Sequence, residues 1–369
     1  MGKDPEGLPT ILMTADAVGG VWNYALSLCA ALPRYRLVLA VMGPAPGAAQ
    51  RDAALALPSV VVEERAFRLE WMAGAELDLA ASRDWLAALA QRYGAALFHC
   101  NGYAHATSTP GCPVLVAAHS DVLSWWAAVH REPAPPSWNS YRREVLAGLP
   151  AADCIVAPTR AVLDDLARHY GLVGQHALVI RNGIDLRLYA PRPKRQVVMA
   201  AGRLWDAAKN LALLDEIAGS LEWPIEIAGD STHPESGSVR FSAVRPLGML
   251  TPGDMAERLG HAAIFAAPAR YEPFGLGILE AAASGCALVL GDIVSLRETW
   301  AGAAVFVPPD DKAGWHASLR ELIADSDRRR HLSEAARQRA QSFSREVMAR
   351  GYAALYNELL GGAERREVA

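Results

Sequence analysis

The chain has 369 residues, of which 51% are hydrophobic and 21% charged, and its formal net charge is −4. That length suits about two domains, and the charge balance offers no basic excess for neutralising nucleic-acid phosphates. Five cysteines occur, Cys29, Cys100, Cys112, Cys154 and Cys286, and none sits at C-x-x-C spacing. Neither a disulfide framework nor a zinc site is indicated, and thiols in a reducing cytoplasm are expected.

Met1 to Pro9 carries Lys3, Asp4 and Glu6 and lacks the basic-then-apolar layout of a signal peptide. No apolar run approaches the roughly 20 residues that span a bilayer. A cytoplasmic protein is expected, with contact at the inner membrane face left open. No basic amphipathic patch argues for that contact.

Short apolar runs at Ile11–Thr14, Arg36–Met42, Val60–Val62, Ala95–His99, Val114–Ala118 and Ile155–Ala157 read as buried strands. Helical segments lie between several of them, for example Trp22–Leu32 and Arg83–Tyr93. A second series follows Asn182-Gly183. Its strand candidates are Gln196–Ala200, Ile225–Ala228, Ala263–Ala267, Ala287–Leu290 and Ala304–Val307. The helices between them are Leu211–Ala218, Asp254–Gly260, Gly277–Ser284 and Lys312–Ala324. Alternation of this kind predicts parallel sheets covered on both faces. Leu186 to Lys194, with two prolines and three basic residues, reads as a linker. The tail, Arg329 to Leu360, is a long helical run that Phe343 and Ser344 divide. Two doubly wound domains are thus expected at 1–185 and 186–345, with a terminal helix at about 346–369 packing back on the first. Ligands of such folds bind outside the carboxyl ends of the strands, and a cleft between the domains is the expected site.

The strongest chemical signal is Glu272-Pro273-Phe274-Gly275-Leu276-Gly277, with Glu280 eight residues after the first acid. A strand ends near Pro268, the glycines let backbone approach a ligand, and a helix start offers free N–H groups suited to phosphate. Glu280 is expected in about the first turn of that helix. Alone, either acid has a plain reading: complementing the helix dipole, or sitting solvated in a loop. Together they flank an anion-ready nest and accept hydrogen bonds from sugar hydroxyls. Upstream, Gly202-Arg203 at a strand end and Lys209 opening a helix supply two cations of the kind that stabilise a departing diphosphate.

The segment resembles the E-x7-E signature of retaining glycosyltransferases of the GT-B fold, and the large GT4 family in particular. That resemblance implies two Rossmann-like domains facing a central cleft. It implies that Glu272 contacts the donor sugar, Glu280 the ribose, and Arg203 and Lys209 the diphosphate. The backbone of Phe274, Gly275, Leu276 and Gly277 would hold sugar or phosphate. Loops at Gly229 and at Leu247-Gly248 would hold the base. In the first domain, Gly19-Gly20 matches a loop that approaches the donor phosphates, although taken alone a simple tight turn explains it better. His119 matches a histidine that contacts the donor sugar. The acid that often follows it is displaced by one position here, to Asp121. Trp125, Trp126 and Trp138 suit an acceptor site, because rings stack on apolar sugar faces, and they suit simple packing as well.

The implied donor is a nucleotide sugar such as a UDP- or GDP-sugar, with no cofactor and no metal. The acceptor would be a glycan, glycolipid or small-molecule hydroxyl. Glu76-Leu77-Asp78 only imitates a metal motif. A Rossmann oxidoreductase would need G-x-G-x-x-G after an early strand, and only Gly19-Gly20 stands there. A GT-B phosphorylase and a silent sugar-binding protein remain as alternatives.

Overall fold

The computed structural model describes residues 7–172, 174–233 and 237–367. The first residues of the expected 1–185 domain and the last of the expected 346–369 helix lie outside them. Contacts divide the chain into two units. The first holds the chain up to Trp126, Glu132–Gly183 and everything from Arg345 onward; the second holds Ala127–Arg131 and Ile184–Ser344.

In the first unit the strands are β1 (Thr10–Asp16), β2 (Arg36–Met42), β3 (Val60–Glu64), β4 (Ala95–Cys100), β5 (Val114–Ala117), β6 (Cys154–Ala157) and β7 (Ala177–Val179). They form one parallel sheet in the order β3-β2-β1-β4-β5-β6-β7. The helices α1 (Gly20–Ala30), α2 (Ala48–Leu55), α3 (Glu76–Tyr93), α4 (Val122–His130), α5 (Asn139–Ala151) and α6 (Arg160–Tyr170) connect them. Alternate strand residues feed opposite cores, because side chains along a strand point to opposite faces. Leu12 and Phe98 enter one core, and Ile11, Met13 and Leu37 the other. Burial on both faces is why these strands read as unbroken apolar runs.

In the second unit the strands are β8 (Arg195–Ala201), β9 (Ile225–Ala228), β10 (Thr232–His233), β11 (Gly237–Ser238), β12 (Arg245–Gly248), β13 (Ala262–Ala267), β14 (Ala287–Gly291) and β15 (Val305–Val307). Six of them make a parallel sheet ordered β12-β9-β8-β13-β14-β15, and β10 pairs antiparallel with β11. Its helices are α7 (Ala212–Ala218), α8 (Pro252–His261), α9 (Leu276–Ala283), α10 (Val294–Trp300), α11 (Lys312–Ala324) and α12 (Ser326–Ala340).

The tail breaks at Gln341–Phe343, a 3-10 turn, and resumes as α13 (Arg345–Glu367). Met348, Tyr352 and Tyr356 of α13 lie in the same core as Ile11 and Met13. His99, fully buried on β4, stacks on Tyr352 at 5.3 Å and bonds the Tyr356 hydroxyl through Nδ1 at 2.6 Å. Removing so large a buried ring costs about 3–5 kcal/mol, so the last helix belongs to the first unit's core.

Four strands, β7, β10, β11 and β12, are absent from the sequence reading. β7 is half-buried along its three residues and too short to announce itself. Leu247 and Gly248, expected in a loop, lie on β12, an edge strand paired to β9. Its Arg, Pro and Gly hid it, and an edge is where a sheet tolerates proline. Helix α3 also begins earlier than expected, so Glu76-Leu77-Asp78 forms its first turn, where acids suit the dipole.

Candidate active site

In each sheet the strand order reverses once: between β1 and β4 in the first unit, and between β8 and β13 in the second. Ligands of doubly wound folds bind outside the carboxyl ends of strands at such switch points.

At the second unit's switch point, β8 runs out through Gly202 into a tight chain of turns. Asp206 N–H donates to the Arg203 carbonyl at 3.1 Å, and Lys209 N–H to the Asp206 carbonyl at 2.9 Å. These turns bring Arg203, Asp206 and Lys209 together. The Arg203 guanidinium donates to Asp206 Oδ2 at 2.5 Å, and Asp206 Oδ1 accepts the Ala208 N–H. Burial opposes ionisation of Asp206, but the Arg203 charge and these hydrogen bonds outweigh it and hold the carboxyl below its ordinary value. The Arg203 Nε stays buried without a partner, a donor left over.

From β13 the chain leads to Glu272, whose carboxylate accepts from Lys209 Nζ at 2.5 Å. Both side chains are largely buried, 22% and 16% exposed. The Ser295 hydroxyl donates to the Glu272 carbonyl at 2.6 Å and fixes the loop. Gly275, at φ 85°, is the N-cap of α9. Its left-handed backbone favours glycine, and a Cβ there would push aside the tip of Ile278, 2.7 Å away. No side chain caps α9, which leaves its first N–H groups available to an anion. Phe274 is buried, with its ring against Phe343. Leu276 and Gly277 in the first turn are half-buried.

Glu280 departs from expectation. Helix α9 has no acid in its first turn, and Glu280 opens the second. Desolvation raises its carboxyl to about 7, and a hydrogen bond from the Tyr189 hydroxyl only partly offsets this. Gly229 and Gly248 are tied together by a backbone bond of 2.9 Å from the Gly229 N–H. A Cβ on Gly229 would lie 1.8 Å from the Gly202 carbonyl oxygen, so glycine is needed there for backbone packing.

In the first unit, Gly19 caps α1 at φ 82°, with Gly20 as the first helical residue. His119 follows β5. Its Nε2 bonds Asn101 Oδ1 at 2.9 Å, and Tyr24 packs edge-on at 4.4 Å. The Asn101 amide donates to the Thr14 carbonyl at 2.6 Å, which can only accept. Asn101 therefore turns its oxygen to His119, and the imidazole carries its proton on Nε2 and keeps Nδ1 as an acceptor. Desolvation lowers His119 to about 4, so the ring is neutral at physiological pH. The displaced acid, Asp121, is a cap: Oδ1 accepts the Ser124 N–H at 2.8 Å and the Tyr170 hydroxyl at 3.0 Å.

Trp125 and Trp126 lie on α4 with ring centroids 6.1 Å apart. Trp138 ends a 3-10 turn and packs against Tyr141 and the core. A different aromatic, Trp71, is 40% exposed and borders an open recess with Thr14, Asp16, Glu70, Asn101 and His105.

Sequence reasoning missed Asp206, Tyr189, Asn101 and this recess. Only Asp206 left a signal, an acid midway between Arg203 and Lys209. Among the described residues, no group of three or more His, Cys, Asp or Glu could hold a metal ion, and no helix is long and apolar enough to cross a membrane.

The family model described as Glycosyltransferase Family 4 matches residues 18–188, and that described as Glycosyl transferases group 1 matches residues 195–325. The alpha-maltose-1-phosphate synthase of Mycobacterium tuberculosis (strain ATCC 25618 / H37Rv) is 29% identical over 233 residues, 53% of this chain and 60% of that protein. The D-inositol 3-phosphate glycosyltransferase of Kineococcus radiotolerans is 28% identical over 235 residues, 52% of this chain and 54% of that protein. The match thus spans less than two thirds of each relative's length. In fold, the chain is similar to sucrose-phosphate synthase from Thermosynechococcus elongatus, with a TM-score of 0.77, 18% identity and coverage of 96% of this chain and 100% of that one. It is likewise similar to Anabaena Alr3699/HepE in complex with UDP-glucose, with a TM-score of 0.73, 17% identity and coverage of 95% and 100%. Two parallel-sheet α/β units, two family matches that follow one another along the chain and these likenesses agree: the chain belongs to glycosyltransferase family 4 and has the GT-B architecture.

Proposed function

We propose that this chain transfers a sugar from a nucleoside-diphosphate donor to a hydroxyl acceptor, with retention of anomeric configuration and without a metal. The observation that carries this reading is the meeting of Arg203, Lys209 and Glu272 at the second unit's switch point, beside the uncapped start of α9. The two cations and the helix N–H groups are suited to the diphosphate, and they take up the charge that a metal would otherwise neutralise. Glu272 is suited to the sugar hydroxyls, and Glu280 with Tyr189 to the ribose diol. Gly229, Leu247 and Gly248 would border the base. In the first unit, the neutral His119 offers Nδ1 to a sugar hydroxyl.

In the transfer, the acceptor oxygen bonds to the anomeric carbon on the face from which the phosphate leaves. The bond from that carbon to the phosphate oxygen breaks, and the acceptor's hydroxyl proton passes to the departing phosphate. Lys209 starts paired with Glu272, so the diphosphate takes a share of a cation already positioned rather than ordering a free one. HepE in complex with UDP-glucose and relatives named for maltose 1-phosphate and inositol 3-phosphate support a nucleotide-sugar donor and a sugar or polyol acceptor.

The test is a melting-temperature screen of the full chain against UDP-, GDP- and ADP-sugars, followed by turnover with EDTA present. A bound donor raises the melting temperature by mass action. If no nucleotide sugar stabilises the chain or is turned over, the reading fails; if turnover is abolished by EDTA and restored by a divalent cation, its metal-free part fails.

A further inference from the structure

In the second unit, Lys209 hangs from a loop that two other loops close into a ring. On one side stands Arg270, two residues before Glu272. Its backbone N–H donates to the Ala208 carbonyl at 2.8 Å. Its guanidinium donates through Nη1 to the Ala207 carbonyl at 3.0 Å and through Nε to Asp310 Oδ1 at 2.8 Å. On the other side stands Asn210, whose amide donates at 2.8 Å to the carbonyl of Pro309, the neighbour of Asp310. The circuit runs from Ala207 through Arg270 and Asp310 to Pro309, and through Asn210 back to Lys209.

The backbone of Asn210 supplies a second observation. The residue is 6% exposed and sits at φ 54°, in the left-handed region. Among residues with a side chain, asparagine is one of the few that tolerate that region. The Lys209 stem lies over Gly202, where a Cβ would meet its Cγ at 3.3 Å. The Arg270 and Asp310 side chains are 29% and 41% exposed, so their pairing adds little stability. What the ring fixes is place. Lysine carries a point charge on a flexible stem, so the position of its backbone decides what its ammonium can reach.

We infer that Arg270 and Asn210 are positioning residues, which clamp the Lys209 backbone from both sides and so hold its ammonium on Glu272, 2.5 Å away. The inference rests on the transferase reading and deepens it. Neither residue needs to touch donor or acceptor, because both act through Lys209.

The test uses the full chain and two readouts. The first needs no turnover: acetic anhydride modifies lysine amines, and the rate at Lys209 is followed by peptide mass spectrometry. Lys194, tied instead to the Ser284 carbonyl, reports general loosening. Because Asp310 also accepts from Arg131, the first substitution is made at Arg270. Arg270→Ala and Asn210→Ala should each speed labelling of Lys209 severalfold and leave Lys194 as it was. Asn210→Gly, which keeps the left-handed turn and loses only the amide, should fall between wild type and Asn210→Ala. Labelling of Lys209 unchanged in both alanine variants, or raised equally at both lysines, overturns the inference.

The second readout is kcat with the donor found by the screen. Arg270→Ala should lower kcat about tenfold, as expected when a reacting group is displaced. Its melting temperature should stay within about 4 °C of wild type. In a Lys209→Ala background the same substitution should change kcat by less than about twofold, since nothing is left to position. A tenfold loss in both backgrounds would make Arg270 an independent contact and overturns the inference. Arg270→Lys keeps a cation for Asp310 without the fork and should recover part of the rate. Should Arg270→Ala melt early, Arg270→Lys carries the same pair of backgrounds. Faster labelling of Lys209 in the variants of a chain that turns over no nucleotide sugar leaves the clamp standing and sinks only the transferase reading.

Discussion

The two units solve the same topological problem with different charge patterns. Both sheets reverse strand order once, and both gather their polar side chains outside the strand ends at that reversal. In the second unit the loops bring Arg203 and Lys209 to the uncapped start of α9. In the first unit the equivalent place holds Asp16, Glu70 and His105, with His119 bonded to the adjoining Asn101, and burial keeps both imidazoles neutral with values near 4. One backbone plan thus carries two ion pairs at one switch point and a carboxyl-lined recess at the other. The difference lies in a few loop residues and owes nothing to the sheets.

The largest effect should come from the anion site. Glu272→Ala and Lys209→Ala should each lower kcat by about 10²–10³-fold, the range for removing a preorganised group that meets developing charge. Nucleotide affinity of the Glu272 variant should stay close to wild type, because its proposed contact is with the sugar. Steady-state kinetics and calorimetry on UDP or GDP check both halves. Near-normal turnover in either variant would break the comparison by making the charged cluster a mere fold feature.

Next in size is a backbone effect that tests whether the second unit's plan depends on close approach. Gly229→Ala would force a Cβ to 1.8 Å from the Gly202 carbonyl oxygen. Overpacking of this kind costs typically about 1–3 kcal/mol, read as an early melt of the second unit. Gly277→Ala, with open space around its Cβ, should melt like wild type and serves as the control.

Much of this plan is legible in sequence because doubly buried strands are continuous apolar runs. Arg36–Met42 and Lys312–Ala324 stand where expected, to the residue. What escaped has physical causes. β12 is an exposed edge, so its composition carries no hydrophobic signal. Glu280 was placed by counting from Gly277, whereas the left-handed Gly275 starts the helix one residue earlier. The recess joins Asp16, Trp71 and His105 from three distant segments, and no spacing rule connects them. Trp125, Trp126 and Trp138 drew notice by clustering in sequence, which for Trp138 reflects packing on the core.

A pH test sharpens the second unit's side of the comparison. Glu280 titrates near 7 in the free protein, and ribose hydroxyls need its ionised form as acceptor. Nucleotide affinity should therefore rise as pH increases through about 7 and release a proton on binding. Glu280→Gln should flatten this dependence and weaken binding by about tenfold at pH 8, near 1.4 kcal/mol. Stability has the opposite sign. A carboxyl raised from 4.5 to about 7 costs nothing below the lower value, and its ionisation cost is complete above the upper one. The melting temperature of Glu280→Gln relative to wild type should accordingly rise between pH 5 and pH 8. A gap that stays constant would show that Glu280 is not the group titrating.

The smallest effect concerns His119, and it bears on whether the first unit's site works through neutral groups. With its value lowered to about 4, His119 is uncharged across the range in which most transferases are assayed. The pH profile of kcat/KM should show no limb from a histidine between about 5 and 8, the span in which an ordinary imidazole titrates. His119→Asn, whose amide oxygen stands near the position of Nδ1, should retain more activity than His119→Ala. The expected loss in the alanine variant is about 0.5–1.5 kcal/mol in kcat/KM, the worth of one neutral hydrogen bond. A histidine limb near pH 6.5 that vanishes in both variants would mean that the imidazole works as a cation. The first unit would then share the electrostatics of the second, and the contrast between the two switch points would be lost.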